Sequence, residues 1–226
     1  MMALANLSKY LGIYEHWRSI VKNAGLKWEK RSALETLISI LNTDITKVED
    51  WLKDLIPKLQ EPYNIQLIYN ALTGLRPTEG CMSSRLLVES SEEGELGRYL
   101  DEDLMMLQHF RFPKIFLRGS KNAYITFISQ ELLELVLEHK PKIKYQALKS
   151  AVRKKNQGIH ITDLRKLYAT KLRDSNIPRE IIDLVQGRIG QSMFLRSYYK
   201  PVLRETKARV LDAIESLQEE LITTII

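Results

Sequence analysis

Hydrophobic residues recur along most of the chain at steps of three and four, the spacing of a helix with one buried face. This pattern predicts helices in "EHWRSIVKNAG", "KRSALETLISILN", "ITKVEDWLKDLIPKL", "QELLELVLEHK", "ALKSAVRKKNQG", "ITDLRKLYATKLRDSN", "PREIIDLVQGR", "QSMFLRSYYKP" and "ETKARVLDAIESLQEELITTII". Asp44 or Thr46 is expected to cap the third of these helices, and Thr162 or Asp163 the sixth, because short polar side chains accept hydrogen bonds from free N–H groups.

Proline and glycine mark the ends of one further, strongly apolar helix, "PYNIQLIYNALTGLRPTEG", which is predicted to begin at Pro62 and to end at Gly74. Pro77 disfavours helical backbone at Arg76, so "GLRPT" is predicted to be a turn. The acidic, glycine-containing segment from Glu89 to Asp103 is predicted to be a loop or a short irregular element.

The periodicity changes in "FPKIFLRGSKNAYITFIS", where β-branched and aromatic residues flank the turn-forming string "RGSKN". This arrangement predicts a β-hairpin. The expected fold class is therefore mainly α with a small antiparallel β-sheet (α+β).

Composition places the chain among ordinary globular proteins, with 44% hydrophobic and 27% charged residues in 226. The lone Cys81 allows no internal disulfide and fits a reducing, cytoplasmic compartment. No apolar run approaches the ~20 residues of a membrane span. The opening string "MMALANLSKYLG" is not the pattern of a signal peptide. We therefore expect no membrane association.

Charge is distributed unevenly. Residues 109–209 contain 22 Lys and Arg against 8 Asp and Glu, whereas the rest of the chain contains 12 basic and 20 acidic residues. Such asymmetry favours a polyanionic partner, most often nucleic acid. A solvated basic surface without a partner is the alternative that charge alone leaves open.

Four short strings carry candidate chemistry, in a fixed order. They are "TGLRPTE" with Arg76, "GSKNAYI" with Lys121, "TDLRKLYAT" with Arg165, and "VQGR" with Arg188, which is followed ten residues later by Tyr198 in "SYYKP". Each string alone is a weak signal, but their order and spacing together are specific.

These strings resemble the tyrosine recombinase (phage integrase) family. That family carries "TGLR-x-(S/T)-E", a hairpin lysine, "H-x-L-R-H-x-(F/Y)-A-T", "L-x-G-(H/W)" and a tyrosine, in this order. The resemblance spans roughly Ile45 to Arg209, and "QGR" with "YYKP" is most like archaeal fusellovirus-type integrases and their plasmid relatives.

The resemblance implies a site-specific recombinase that cleaves and rejoins duplex DNA through a covalent 3′-phosphotyrosyl intermediate, for integration and excision of a virus or plasmid. It implies double-stranded DNA as partner, four protomers on two DNA sites, a nucleoid-associated location, and no metal or cofactor. Residues 45–209 would form the catalytic domain, residues 1–44 a helical segment that could be a remnant of a core-binding domain, and residues 210–226 a helix.

The resemblance also implies roles for individual residues. Arg76 and Arg165 would clamp the non-bridging oxygens of the phosphate, since arginine is a permanently charged, bidentate donor. Lys121 would protonate the leaving 5′-oxygen. Tyr198 would be the nucleophile, with Tyr199 as the alternative.

The chain departs from the family pattern at three histidine positions. Thr162 stands where the first would fall, and His160, two residues earlier, is the alternative. Lys166 replaces the second, and Arg188 replaces the histidine or tryptophan of the fourth string. Arg188 could bind phosphate but not act as a base, so we expect the three arginines and the hairpin lysine to lower the pKa of the tyrosine electrostatically.

The remaining candidates have supporting roles. Glu79 resembles the family's acidic residue and would orient an arginine. Contacts with DNA phosphates, or simple solubility, are expected of Lys149, Arg153, Lys154, Lys155, Arg196 and Lys200. The last helix carries an apolar stripe that could pack on its own domain or dock on a neighbouring subunit. Two other functions fit the motifs, namely a type IB topoisomerase and a non-catalytic DNA-binding protein that keeps the fold.

Overall fold

The computed structural model describes residues 2–26, 32–42, 44–119, 121–153, 158–189, 197–198 and 200–225. The backbone separates into two compact units, residues 1–44 and 45–226. The predicted fold class, mainly α with a small antiparallel sheet, is confirmed. No helix in the described ranges has the length and apolar character that crossing a membrane requires.

The described residues of the first unit form three helices, α1 (Met2–Tyr10), α2 (Tyr14–Asn23) and α3 (Ala33–Asn42). Its helices are the ones predicted from "EHWRSIVKNAG" and "KRSALETLISILN", with α1 in addition. Val21 is buried in α2.

The second unit contains nine described helices: α4 (Ile45–Leu55), α5 (Tyr63–Thr73), α6 (Pro77–Glu92), α7 (Pro113–Phe116), α8 (Gln130–His139), α9 (Tyr145–Arg153), α10 (Leu164–Asp174), α11 (Arg179–Val185) and α12 (Leu203–Thr223). Because α4 begins at Ile45, Asp44 occupies the position before the helix and Thr46 lies within it. The helix predicted in "QSMFLRSYYKP" falls largely on residues 191–196 and 199, outside the described part of the chain.

Helix α5 is the centre of the second unit. All of its residues after Tyr63 are buried, and it packs against α6, α8, α9, α10 and α12. Its sequence has no continuous polar face, which is what a helix surrounded by other helices requires. Polar side chains of α5 link it to α6: Gln66 accepts from Ser84 of α6 at 2.6 Å and donates to Asn70 at 3.2 Å.

The β-structure differs in part from the prediction. The hairpin at "RGSKN" is confirmed, with β3 (Leu117–Arg118) paired to β4 (Lys121–Asn122). However, "PKIF" forms helix α7, and β5 (Thr126–Phe127) pairs with β2 (Met106–Leu107), which in turn pairs with β1 (Leu100–Asp101). The sequence did not predict this three-stranded sheet, because strands of two residues are too short to show alternation of apolar and polar residues.

The loop predicted for Glu89–Asp103 is wrong at its beginning. Helix α6 continues to Glu92, because Val88 and Ser90 remain buried on its inner face despite the acidic neighbours. Gly94, with a φ of 71°, then turns the chain out of the helix. A short 3₁₀ helix (Leu96–Arg98) leads into β1.

The apolar stripe of α12 packs on its own unit, against α5 and α10. Val210, Ile214, Leu217 and Leu221 are buried there. Polar contacts add to this packing, since Gln218 of α12 accepts from Ser129 Oγ at 2.6 Å and donates to Glu131, both at the start of α8. This part of the stripe packs within the chain, and docking of the last helix on a neighbouring subunit stays a prediction.

A chain of buried hydrogen bonds joins the helices to the sheet. The Tyr69 hydroxyl of α5 lies 2.5 Å from Ser83 Oγ of α6, which lies 2.7 Å from the Tyr99 hydroxyl. Tyr99 in turn bonds His109 Nδ1 at 2.7 Å, and His109 Nε2 lies 2.8 Å from Thr126 Oγ1 of β5. Every side-chain polar atom in this series of hydrogen bonds has a partner, as burial requires.

Burial lowers the pKa of His109 to about 3. The unfolded chain therefore binds a proton below about pH 6.5 that the folded protein does not bind until about pH 3. Between these values the free energy of unfolding should fall by about 1 kcal/mol for each pH unit of acidification. Urea unfolding at pH 6 and pH 5 measures this slope; the His109→Gln variant should lose this contribution, and equal slopes in the two proteins would contradict it.

Candidate functional site

The turn between α5 and α6 fixes the backbone of Arg76. Gly74 ends α5 with a φ of 61°, and a Cβ atom there would lie 2.2 Å from the ring of Tyr168 on α10. Only glycine allows both the left-handed backbone and this close approach. Arg76 follows in an extended conformation as the residue before α6, and Pro77 begins the helix. The predicted turn at "GLRPT" is confirmed.

Glu79 holds the side chain of Arg76. The Glu79 side chain is fully buried, and Arg76 Nη1 donates to its two carboxylate oxygens at 2.8 and 3.1 Å. The backbone N–H of Arg76 also donates to Oε2, at 3.2 Å. A buried carboxylate needs such partners to offset its desolvation. The contact that the predicted orienting role requires is therefore present.

The hairpin packs onto this pair at Asn122. Arg76 Nη1 donates to the Asn122 carbonyl oxygen at 3.2 Å, and Asn122 Nδ2 donates to the Gly119 carbonyl oxygen at 3.0 Å, inside the hairpin turn. Lys121 is the residue before Asn122, so its backbone lies beside Arg76. The side chain of Lys121 lies outside the described part of the structure.

Arg118 is a member of the cluster that sequence reasoning missed. It lies on β3 directly opposite Lys121, and its Nη2 donates to Glu79 Oε1 at 3.3 Å. The available signal was the predicted hairpin itself, because antiparallel pairing across "RGSK" places the arginine beside the lysine. No motif of the family pattern includes this position.

Arg165 lies in the first turn of α10 and bridges two other segments. Its Nη1 donates to the Gly74 carbonyl oxygen at 2.8 Å, and its Nη2 donates to the Gln186 carbonyl oxygen at 2.5 Å. Gln186 Nε2 donates back to the Arg165 carbonyl oxygen at 3.1 Å. Burial, followed by the positive charges of Arg76 and Arg188, lowers the pKa of Arg165 to about 10. Arg165 therefore stays protonated at neutral pH.

Arg188 follows the turn that ends α11. Its backbone N–H donates to the Asp183 carbonyl oxygen at 2.7 Å, and its Nη1 lies 3.6 Å from Asp183 Oδ1. About half of its side chain, 48%, is exposed. The preceding Gly187 has a φ of 69°, and a Cβ atom there would lie 1.9 Å from the Asn122 carbonyl oxygen. The fourth motif and the hairpin are thus in direct backbone contact.

Gly187→Ala should separate the hairpin from the arginines. We expect the rate of the DNA cleavage that the motifs predict to fall at least about tenfold, since displacements of about 1 Å at a site cost up to about 10²-fold. The matched control is Gly94→Ala, because Gly94 has nearly the same φ, 71°, and no atom within 4 Å of a built Cβ. Single-turnover cleavage and urea unfolding of both variants would check this. Equal effects of the two substitutions on cleavage would contradict the role of the close approach.

The residues around the missing histidines are exposed. His160 and Thr162 lie at the surface, and Lys166 pairs with Asp163 at 2.7 Å. Asp163 occupies the predicted cap position of α10, but its carboxylate makes no cap hydrogen bond to that helix and accepts instead from the His160 backbone N–H at 2.9 Å. Their predicted roles in catalysis stay predictions.

The predicted DNA contacts are described only in part. Lys149 and Arg153 are exposed on α9, each directly after a buried residue, Leu148 or Val152, and Lys200 is exposed as well. Tyr198 is 75% exposed. The other predicted residues lie outside the described residues: Lys154, Lys155, Arg196 and Tyr199.

The described cluster contains more positive than negative charge. Four guanidinium groups, from Arg76, Arg118, Arg165 and Arg188, accompany two carboxylates, Glu79 and Asp183. Such an excess, with arginine forks at the surface, suits the binding of a phosphodiester.

Comparison with known proteins gives one match. Residues 99–210, just under half of the chain, match the family described as archaeal phage integrase. No curated protein and no solved structure matches the chain. The resemblance that the motifs predicted is confirmed: over residues 99–210 the chain is similar to archaeal phage integrases, a likeness that supports integrase-type recombination with DNA as the partner.

Proposed function

We propose that this protein is a site-specific tyrosine recombinase that integrates and excises a virus or plasmid. It cleaves and rejoins duplex DNA through a covalent 3′-phosphotyrosyl intermediate. The observation that carries the proposal is the clustering of Arg76, Arg165 and Arg188 from three distant segments, since the charges of Arg76 and Arg188 act on Arg165. The hairpin that bears Lys121 lies beside this cluster, because Asn122 contacts Arg76 and approaches Gly187.

The chemistry follows from these groups. The Tyr198 hydroxyl oxygen attacks the scissile phosphorus, the bond from phosphorus to the 5′-oxygen breaks, and Lys121 transfers a proton to that oxygen. Arg76 and Arg165 stabilise the negative charge that builds on the non-bridging oxygens. Attack by a 5′-hydroxyl on the phosphotyrosine reverses the step, so rejoining needs no ATP.

The tyrosine must lose its proton without a histidine in the family position. Its proton passes to water, and positive charge beside the oxygen stabilises the phenolate that attacks phosphorus. The guanidinium groups of Arg165 and Arg188 supply that charge. They lie close enough together for the charge of Arg188 to lower the pKa of Arg165.

Covalent trapping tests the proposal. A pool of nicked duplexes with randomised sequence is incubated with the full chain, so that the short 5′-hydroxyl fragment diffuses away after cleavage. We expect a protein–DNA adduct that survives denaturing electrophoresis, and sequencing of its DNA identifies the target site. Tight binding without any adduct would instead indicate a non-catalytic DNA-binding protein.

A type IB topoisomerase would form the same adduct, because it uses the same arginine, lysine and tyrosine chemistry. The two activities differ in synapsis, since recombination needs two DNA sites and a tetramer. A plasmid with two copies of the recovered site should be recombined by this protein. Relaxation of supercoiled plasmid with no two-site product would favour the topoisomerase.

A further inference from the structure

Glu79 is shared by two arginines on different elements. Its Oε1 accepts from Arg76 Nη1 at 2.8 Å and from Arg118 Nη2 at 3.3 Å. The Glu79 side chain has no exposed surface, whereas that of Arg118 is 43% exposed. One buried carboxylate therefore connects the turn before α6 to the first strand of the hairpin.

The register of the hairpin relates Arg118 to Lys121. The two residues are directly paired across β3 and β4, and Gly119, with a φ of 62°, lies in the turn between them. A shift of Arg118 must therefore move the backbone of Lys121 as well. On the other strand, the Asn122 carbonyl oxygen contacts Arg76 and approaches Gly187. Both strands of the hairpin are thus held to the arginine cluster, β3 through Arg118 and β4 through Asn122.

We propose that Arg118 is a positioning residue for proton transfer to the leaving 5′-oxygen. Its bond to Glu79 holds β3 in place, and the paired β4 then presents Lys121 to that oxygen as the phosphorus–oxygen bond breaks. This role rests on the proposed recombinase function and adds to it a residue outside the five motifs.

The contacts favour positioning over direct binding of the scissile phosphate. Arg118 directs a donor into the buried carboxylate, the same group that orients Arg76. Removal of Arg118 leaves the bonds from Arg76 Nη1 to both oxygens of Glu79 in place, so the phosphate clamp keeps its own support. Removal of Arg118 should therefore disturb the position of the hairpin and slow the proton transfer from Lys121.

A substrate that needs no proton separates these roles. In a nicked duplex with sulfur in place of the bridging 5′-oxygen, the leaving group is a thiolate, which departs without protonation because a thiol is far more acidic than an alcohol. Single-turnover adduct formation is measured with the full chain on the oxygen and sulfur substrates, both built on the site recovered by trapping. The variants are Arg118→Gln and Lys121→Ala.

We expect Arg118→Gln to slow cleavage of the oxygen substrate about 10- to 100-fold, the effect of a small misplacement of a reacting group. On the sulfur substrate it should cleave within about threefold of the wild-type rate, as should Lys121→Ala. Arg118→Lys should recover part of the loss on oxygen by keeping a positive donor. The charge-matched control is Arg98→Gln, an exposed arginine that pairs with Glu95 in the acidic segment and should leave both rates unchanged.

Three results would overturn the inference. An equal loss on both substrates would make Arg118 part of the phosphate clamp, or a fold defect if urea unfolding shifts as well. Undiminished cleavage of the oxygen substrate would remove any role for Arg118. Failure of sulfur to rescue Lys121→Ala would show that the hairpin lysine is not the acid. By contrast, no adduct from the wild-type chain on either substrate would refute the recombinase function itself.

Discussion

Replacing Tyr198 by phenylalanine should abolish the covalent protein–DNA adduct, while Tyr199→Phe should retain it. Phenylalanine has no oxygen to attack phosphorus, so the adduct should fall by at least about 10³-fold, to below detection on a gel. Tyr198 lies ten residues after Arg188, the spacing that the family resemblance implies for the nucleophile. Trapping with the nicked duplex measures the result.

The two tyrosines serve as controls for each other. On the helix that the sequence predicts for this segment, adjacent residues would point about 100° apart, so only one tyrosine is expected to face a bound phosphate. Both variants should bind duplex DNA as the wild type does, because each loses only a hydroxyl. An adduct from Tyr198→Phe together with none from Tyr199→Phe would assign the nucleophile to Tyr199. Adducts from both variants would place the nucleophile elsewhere.

Arg165→Ala should reduce the single-turnover rate of adduct formation by about 10²- to 10³-fold, the usual effect of removing one donor to a developing charge. Part of this loss is structural, because the guanidinium also holds the Gly74 and Gln186 carbonyl oxygens together. Leaving those acceptors unsatisfied should lower the free energy of unfolding by about 1–3 kcal/mol. Quenched single-turnover assays at saturating DNA would measure the rate of adduct formation. Urea unfolding would measure the change in the free energy of unfolding.

The matched control lies on the same helix. Arg173 is exposed near the other end of α10, where its Nη1 donates to the Ile177 carbonyl oxygen at 3.5 Å. Arg173→Ala should leave the rate of adduct formation within about threefold of the wild type, since this group lies outside the cluster. Arg165→Lys should keep the positive charge but not the bidentate contact of a guanidinium group. Its rate of adduct formation should therefore stay at least about tenfold below that of the wild type. A wild-type rate of adduct formation in Arg165→Ala would exclude a role for Arg165 in binding the phosphate oxygens.

Local signals were sufficient for several elements of the fold. The end of α5 at Gly74, the turn before Pro77 and the hairpin turn after Arg118 all follow from the backbone preferences of glycine and proline, which act within a few residues. Local signals failed where burial overrode them. Helix α6 runs through the acidic residues up to Glu92 because its opposite face is buried, and no short window contains that information.

The candidate site, like the fold, has features that the sequence predicts and features that depend on contacts between distant segments. The order of the motifs identified Arg76, Lys121, Arg165 and Arg188 as candidates, and the structure brings Arg76, Arg165, Arg188 and the backbone of the hairpin together. Arg118 could not be selected in this way, because its importance comes from a carboxylate 39 residues earlier in the chain. The close approach of Gly187 to the Asn122 carbonyl oxygen also joins residues far apart in the chain, so the local sequence contains no sign of it.

The sequence by itself determined the helical class of this protein, its basic half, and the ordered motifs that resemble an integrase, because these depend on residue type and spacing along the chain. Only the tertiary structure decided that one buried carboxylate serves both Arg76 and Arg118, and that the last helix packs on its own unit. Contacts of this kind join residues far apart in the chain, and they form only when burial makes an unpartnered charge or an exposed apolar stripe too costly.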